Sequence, residues 1–181
     1  MRNQRLWALA PLMALCLVGC NRTNDAAPGE AAAPSNETLA AAIAGQGDLD
    51  NLENATRSSG LAEVLEGKGS YTVLAPVNAA LGAAGSELAG GTLRAQSAAL
   101  LRAHIVPGAL TRADIEAALS RGGSEGVKMR TMADSLITFT KNGDAIVVTA
   151  ADGATGRLTG SEEVVSNGVV QPVDGVLIRA E

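Results

Sequence analysis

The side chains able to do chemistry in this sequence are few: the thiols of Cys16 and Cys20, one imidazole at His104, and short groupings of carboxylates. A nucleophilic hydrolase would have to pair His104 with an acid and a serine such as Ser97 or Ser166. No Gly-x-Ser-x-Gly turn is present to expose a strained nucleophile, so the pattern favours a partly buried ring bonded to nearby backbone. Asp48, Asp50 and Glu53 offer oxygen ligands in "DLDNLE", but Leu52 interrupts the pattern and the glycine that turns a calcium loop is missing. A solvated helix face is expected there. Glu162-Glu163 likewise reads as exposed charge, and "GQGD" at 45–48 lacks the third glycine of a dinucleotide-binding turn. No catalytic residue, no metal site and no cofactor are expected.

Cys20 stands apart because of what surrounds it. Arg2 and Arg5 open the chain, and "LWALAPLMALCLVG" follows with fourteen residues and no charge. That length suits the apolar part of a secretory leader and is short for a membrane span of about 20 residues. The run ends in Leu17-Val18-Gly19-Cys20, which resembles a bacterial lipobox. The resemblance implies cleavage between Gly19 and Cys20 and acylation of the Cys20 thiol, hence attachment to a lipid bilayer. An ordinary secretory leader cut nearby is the alternative. Cys16 offers a poorer box, since Met13 would take the aliphatic position. By resemblance to Gram-negative sorting rules, Asn21 rather than Asp after the cysteine favours the outer membrane; the expected place is the outer membrane or a periplasm-facing site in a Gram-negative cell and the extracellular face in any other. Residues 21–34 contain no large aliphatic side chain and cannot offset their ordering entropy, so they read as a flexible tether. The chain thus divides into a leader (1–19), a tether (20–34) and one domain (35–181).

Composition narrows what the domain can bind. The net charge is −5, and loss of the leader's two arginines makes it −7. No Lys/Arg cluster survives, so nucleic acid is disfavoured. Cys20 is then the only cysteine, which excludes an internal disulfide. Tyr71 and Phe139 are the only aromatic residues outside the leader, too few to stack sugars or bases. The Asn-x-Thr triplets at Asn21, Asn36 and Asn54 read as chance occurrences.

Helical spacing dominates the first half. Leu39 and Ile43 share a face, capped by Ser35 or Asn36; Leu49 and Leu52 follow Asp48 as cap; Leu61, Val64 and Leu65 form a third face that Gly67 ends. "TLRAQSAALLRAH" aligns Leu93, Ser97, Leu100, Leu101 and His104, and "TRADIEAALS" opens on a capping-box-like Thr111 and Asp114 before Ile115, Ala118 and Leu119. "LGAAGSELAGG" at 81–91 reads as a loose connection between helices, or as a close-approach surface for a partner. Later segments read as strands: "SLITFTKNGDAIVVTA" as a hairpin turning at Asn142-Gly143, then "GRLTG", "EEVVS" and "GVVQPVDGVLIRA". Pro172 calls for a break or bulge. Helices first and strands later, without βαβ alternation, predict an α+β fold.

Three segments in order, "GSYTVLAPVNAAL" (69–81), "LLRAHIVPGALTRADI" (100–115) and "VVSNGVVQPVDGVLI" (164–178), resemble the fasciclin (FAS1) domain over residues 36 to 179. The resemblance implies a single domain with N-terminal helices packed on a C-terminal, mostly antiparallel β-wedge. The motif positions are Tyr71, Pro76, Asn78, His104, Pro107, Gly108, Asn167, Gly168 and Asp174. Each has a structural expectation: Pro76 ends a strand from Tyr71 to Ala75, Asn78 caps the helix carrying Ala79 to Leu81, Pro107-Gly108 turns the chain, and Asn167-Gly168 makes a tight turn. Leu74 and Leu81 stand where the family prefers Phe, Val77 where it has Thr, and Gln171 where it has His. Ala103 precedes His104, and Glu162-Glu163 occupy the place of an Asp-Ile pair, so the integrin contacts tied to such pairs in animal members are not expected. The resemblance implies a non-enzymatic protein of the cell envelope mediating adhesion or contact with an unidentified envelope or matrix protein. Binding or acyl-type processing of a small apolar ligand is the alternative. Nothing in the sequence sets the oligomeric state.

Overall fold

The computed structural model describes residues 34–82 and 94–179. The leader, the tether up to residue 33 and most of the 81–91 connection lie outside the described residues, as do Gly19, Cys20 and Leu93.

Five labelled helices, a further helical turn, two short 3-10 turns and eight strands follow one another in these segments. α1 (Leu39–Ala44), α2 (Asp50–Ser59) and α3 (Ala62–Glu66) precede β1 (Tyr71–Pro76) and a helical turn at 78–82. α4 (Arg94–His104), β2 (Ile105–Pro107) and α5 (Arg112–Gly122) come next. The rest is strand: β3 (Val127–Arg130), β4 (Leu136–Asn142), β5 (Ala145–Ala150), β6 (Thr155–Arg157), β7 (Glu163–Val165) and β8 (Gly168–Val173). The first sheet has the order β2-β1-β8-β7 and the second β3-β4-β5-β6. Every pairing is antiparallel except β1 with β8, which runs parallel from Tyr71 opposite Gly168 to Pro76 opposite Val173. The predicted α+β class and the mostly antiparallel second half hold.

Two apolar clusters fill the interior. Leu39, Ile43, Leu49, Leu52 and Leu65 from the first helices join Val73, Leu101 and Val170 in one. Ile115 and Leu119 from α5 meet Ile137, Phe139, Val148 and Leu177 in the other. Phe139 is fully buried and is the largest of these side chains. Aliphatic side chains therefore do the work of an aromatic core, as the composition requires.

Several local details differ from expectation, each for a physical reason. Thr38, not Ser35 or Asn36, caps α1, its hydroxyl accepting from the Ala41 N–H at 3.3 Å. Ser35 is used otherwise: its N–H bonds the Val164 carbonyl at 2.8 Å, so the incoming chain lies along β7. Asp48 caps nothing, because Gly47–Leu49 forms a short 3-10 turn leading into α2. Ala118 is only half-buried, whereas Ile115 and Leu119 are buried as expected. Ile105-Val106-Pro107 is a strand antiparallel to β1, and the positive φ of 100° falls on Gly108. In the β4–β5 hairpin Asn142 is the last paired residue, opposite Ala145, and Gly143 alone takes a positive φ, 61°. β8 passes through Pro172 without a break. The Pro172 carbonyl accepts from Thr159 N–H at 2.8 Å, on the side where β7 has already ended, so its missing N–H costs no ladder bond there.

Candidate functional site

The three motifs converge on the first sheet. Tyr71 on β1 sits between Pro107 on β2 and Gly168 on β8, so residues far apart in sequence become neighbours on adjacent strands. Gly168 is required by proximity: a Cβ there would lie 1.9 Å from the Tyr71 carbonyl oxygen. The tight turn before β8 is centred on Ser166-Asn167 rather than Asn167-Gly168, because Val165 already pairs with Gly168.

Asn167 is freed by that turn to act as a hub. Its Oδ1 accepts from the Leu39 N–H at 2.8 Å, and its Nδ2 donates to the Leu65 and Gly67 carbonyls, each at 2.8 Å. One amide thereby serves the N-terminus of α1 and the C-terminus of α3, where backbone groups lack helical partners. Its own carbonyl accepts from Tyr71 N–H at 3.2 Å.

Asn78 works across the fold in the same way. It does not cap its own helical turn, whose first carbonyl acceptor is Val77. Its Oδ1 instead accepts from Asn51 N–H in the first turn of α2 (3.0 Å), and its Nδ2 donates to the Gly47 carbonyl (2.9 Å). Pro76 is the last residue of β1 and not the one after it.

His104 ends α4 with its ring wholly buried. Nδ1 bonds the Leu100 carbonyl at 2.7 Å, and Nε2 bonds the Leu177 N–H at 2.9 Å. A carbonyl can only accept and an N–H can only donate, so the proton sits on Nδ1 and the ring is neutral. Burial pushes its pKa down from the ordinary 6.5 to about 4, against a smaller raising effect of the Leu100 bond. Both nitrogens are spent on backbone and no solvent reaches the ring. Neither nitrogen is left free to act as a base in this conformation.

Asp174 fixes the exit of β8. Its Oδ1 accepts from Arg157 N–H at 2.6 Å and its Oδ2 meets Arg157 Nε at 2.9 Å. The backbone bond from Arg157 is the main cause of its lowered pKa. Asp152 does the same for the chain end, accepting from Arg179 N–H at 2.8 Å.

Two constellations had no signal in the sequence. Thr72 Oγ1 donates to the Gly108 carbonyl (2.7 Å) and accepts from Leu110 N–H (2.8 Å), strapping the loop after β2 to β1. The second joins Arg112, Glu162 and Gln171. Gln171 is fully buried where a His was expected by resemblance, and its Oε1 accepts from Arg112 Nε at 3.1 Å. Its Nε2 donates to Glu162 Oε2 at 2.6 Å, and that oxygen also accepts from Arg112 N–H in the first turn of α5 at 2.7 Å. Glu163 accepts from Gln46 Nε2. Glu162-Glu163 is therefore half-buried and internally bonded, not exposed charge. Only the Thr111–Asp114 capping box, complete in both directions, was legible nearby.

Asp48 and Asp50 face solvent, and Glu53 pairs with Arg57 at 2.6 Å. Among the described residues no group of three His, Cys, Asp or Glu could hold a metal ion, and no helix is long and apolar enough to cross a membrane. A groove of about 300 Å³ lies among α1, α2 and α3, lined by Ala40, Ala41 and Ile43 together with Glu53, Arg57 and Glu66.

The architecture has relatives. The chain is 25% identical over 162 residues to Protein sll1483 of Synechocystis sp., covering 85% of this chain and 80% of that protein. Its fold is similar, at a TM-score of 0.68 and 15% identity, to a FAS1 domain pair from the insect cell adhesion molecule Fasciclin I. The match takes in 80% of this chain and 52% of the insect structure, so the chain spans about half of that pair. The Fasciclin domain model matches residues 47–179, and Ser35 to Ala44 add the β7 contact and α1 ahead of it. With three motif segments meeting on one sheet and the family model covering most of the sequence, this chain belongs to the fasciclin domain family.

Proposed function

We propose that this is a lipid-anchored, non-enzymatic contact module of the cell envelope, held by an acylated Cys20 and presenting one fasciclin domain on a short tether. Fasciclin domains are associated with adhesion-type functions. The observation that carries the reading is that the one imidazole is sealed, neutral and bonded on both sides to backbone. The motif residues bond to the fold itself, so partners would meet the outer surface. The integrin-type pairs of animal relatives find no counterpart, since Glu162 and Glu163 are engaged internally. The partner is then another envelope or matrix protein, not nucleic acid. If the cell is Gram-negative, the outer membrane is the place for it. Proximity labelling in the native cell, with anchor intact, tests the contact role; recovery of no neighbour beyond that of an unrelated lipoprotein refutes it.

Capture of a small apolar ligand is the second reading; the groove among α1, α2 and α3 offers it Ala40, Ala41, Ile43 and Ala44, beside Glu53, Arg57 and Glu66. Native mass spectrometry of the purified protein decides it by the presence or absence of a co-purified small molecule.

A further inference from the structure

Four strands form the rims of the two sheets, and three of them take a backbone hydrogen bond from a segment outside their ladder. Met132 N–H bonds the Ile105 carbonyl on β2 (2.8 Å), Ser35 N–H bonds the Val164 carbonyl on β7 (2.8 Å), and Asp174 N–H bonds the Arg157 carbonyl on β6 (3.0 Å). β3 is different. Beyond its ladder with β4, no backbone group of Val127–Arg130 bonds another described segment. β2 approaches β3, but the two strands are not hydrogen-bonded to each other.

The side chains of β3 alternate cleanly. Lys128 and Arg130 are exposed, whereas Val127 and Met129 are half-buried and pack against the second core cluster. Lys128 is in register with Thr138, Thr149 and Thr155 across the outer face of the sheet. The strands of this sheet contain no carboxylate, although the chain as a whole is acidic. Of the acids flanking β3, Glu125 stands exposed two residues before the strand, and Asp134 pairs with Arg130 at 2.7 Å. Both partners are exposed, so the pair is weak and readily exchanged. A short rim strand bearing cations is also a common guard against indiscriminate pairing. The same cations discriminate, repelling a basic strand and attracting an acidic one.

We propose that β3 is the docking edge for an extended segment of another protein, added as a fifth strand of the second sheet. Its acidic side chains would stand beside Lys128 and Arg130, alternating with apolar ones that extend the Val127 and Met129 side. In this mode main-chain bonds supply the affinity and alternate side chains the selectivity, which suits a surface poor in aromatic anchors. The inference rests on the protein-contact reading above and gives it a partner class.

The test uses the full-length protein in detergent and a fluorescent capped peptide alternating Glu and Val. Anisotropy should show binding that falls about tenfold when Lys replaces Glu in the peptide, and about as much in the protein variant Lys128→Glu. Methylation of alternate peptide nitrogens should abolish it, and amide NMR shifts should centre on Val127–Arg130. Circular dichroism checks that Lys128→Glu is folded, and a Thr149→Ala variant, whose site is off the rim, should bind as wild type. Equal binding of the Glu and Lys peptides, indifference to N-methylation, shifts centred elsewhere, or no binding at all would each overturn the proposal. Proximity labelling can recover partners in any of those cases, so the docking edge and the contact role fail separately.

Discussion

Acid should loosen this domain through His104 before it does so through Asp114, Asp152 or Asp174. The folded ring titrates at about 4 and the unfolded ring at the ordinary 6.5. Between those values the unfolded chain holds a proton that the folded chain refuses, so stability falls as pH falls. The slope is about 1.4 kcal/mol per pH unit, and the loss across the window is about 3 kcal/mol. The contribution is fully present above pH 6.5 and fully lost below about pH 4. Asp114, Asp152 and Asp174 have pKa values held below 3.8, chiefly by hydrogen bonds, so their stabilisation is present above that value and lost only as pH drops further. The two windows are separate, which makes the measurement clean. Urea unfolding followed by far-ultraviolet circular dichroism, from pH 7.5 down to pH 4.5, should show the wild type losing stability steeply. His104→Gln cannot titrate, so its curve should be flat by comparison and about 1–3 kcal/mol lower at neutral pH, from the lost Leu177 bond and imperfect packing. Parallel slopes for the two proteins would refute the account of a buried, neutral ring.

Four further outcomes are expected. Asn167→Ala leaves Leu39 N–H and the Leu65 and Gly67 carbonyls without their partner and should cost about 3 kcal/mol in urea denaturation, since buried polar groups are expensive to orphan. Gly168→Ala drives a methyl into the Tyr71 carbonyl and should cost about 1–3 kcal/mol or prevent folding, judged by melting temperature and soluble yield. Thr72→Val keeps the volume but removes both bonds to the Gly108–Leu110 loop, so hydrogen exchange at Leu110 should quicken markedly while the fold persists. Cys20→Ser should abolish incorporation of an alkyne fatty acid in cells; equal labelling would remove the anchor.

What the sequence revealed was whatever is encoded locally. Helix spacing, the Thr111–Asp114 box and the β4–β5 hairpin each depend on residues within a few positions of one another, and each was legible. The fold class came from the order of such segments, and the family from motifs that proved to be adjacent strands. What stayed hidden depends on contacts across the chain. Asn78 and Asn167 look like local caps and turn residues, yet both serve helices elsewhere, because only the folded sheet brings Asn51, Leu39 and Leu65 within reach. Glu162-Glu163 looked solvated because nothing local predicts that Gln171, Arg112 and Gln46 would surround them. Pro172 misled for the same reason: whether a missing donor matters depends on which neighbour faces it.

The parallel pairing of β1 with β8 also fixes a timetable. β8 is the last strand among the described residues, yet it lies inside its sheet, between β1 and β7. Residues 71–76 therefore wait for residues 168–173 before their ladder can form. Joining ends so far apart is slow, because a long loop must close before any contact rewards it. A chain emerging from its N-terminus cannot complete this sheet until residue 173 is free, so β1 must wait for the whole intervening stretch before it gains its parallel neighbour.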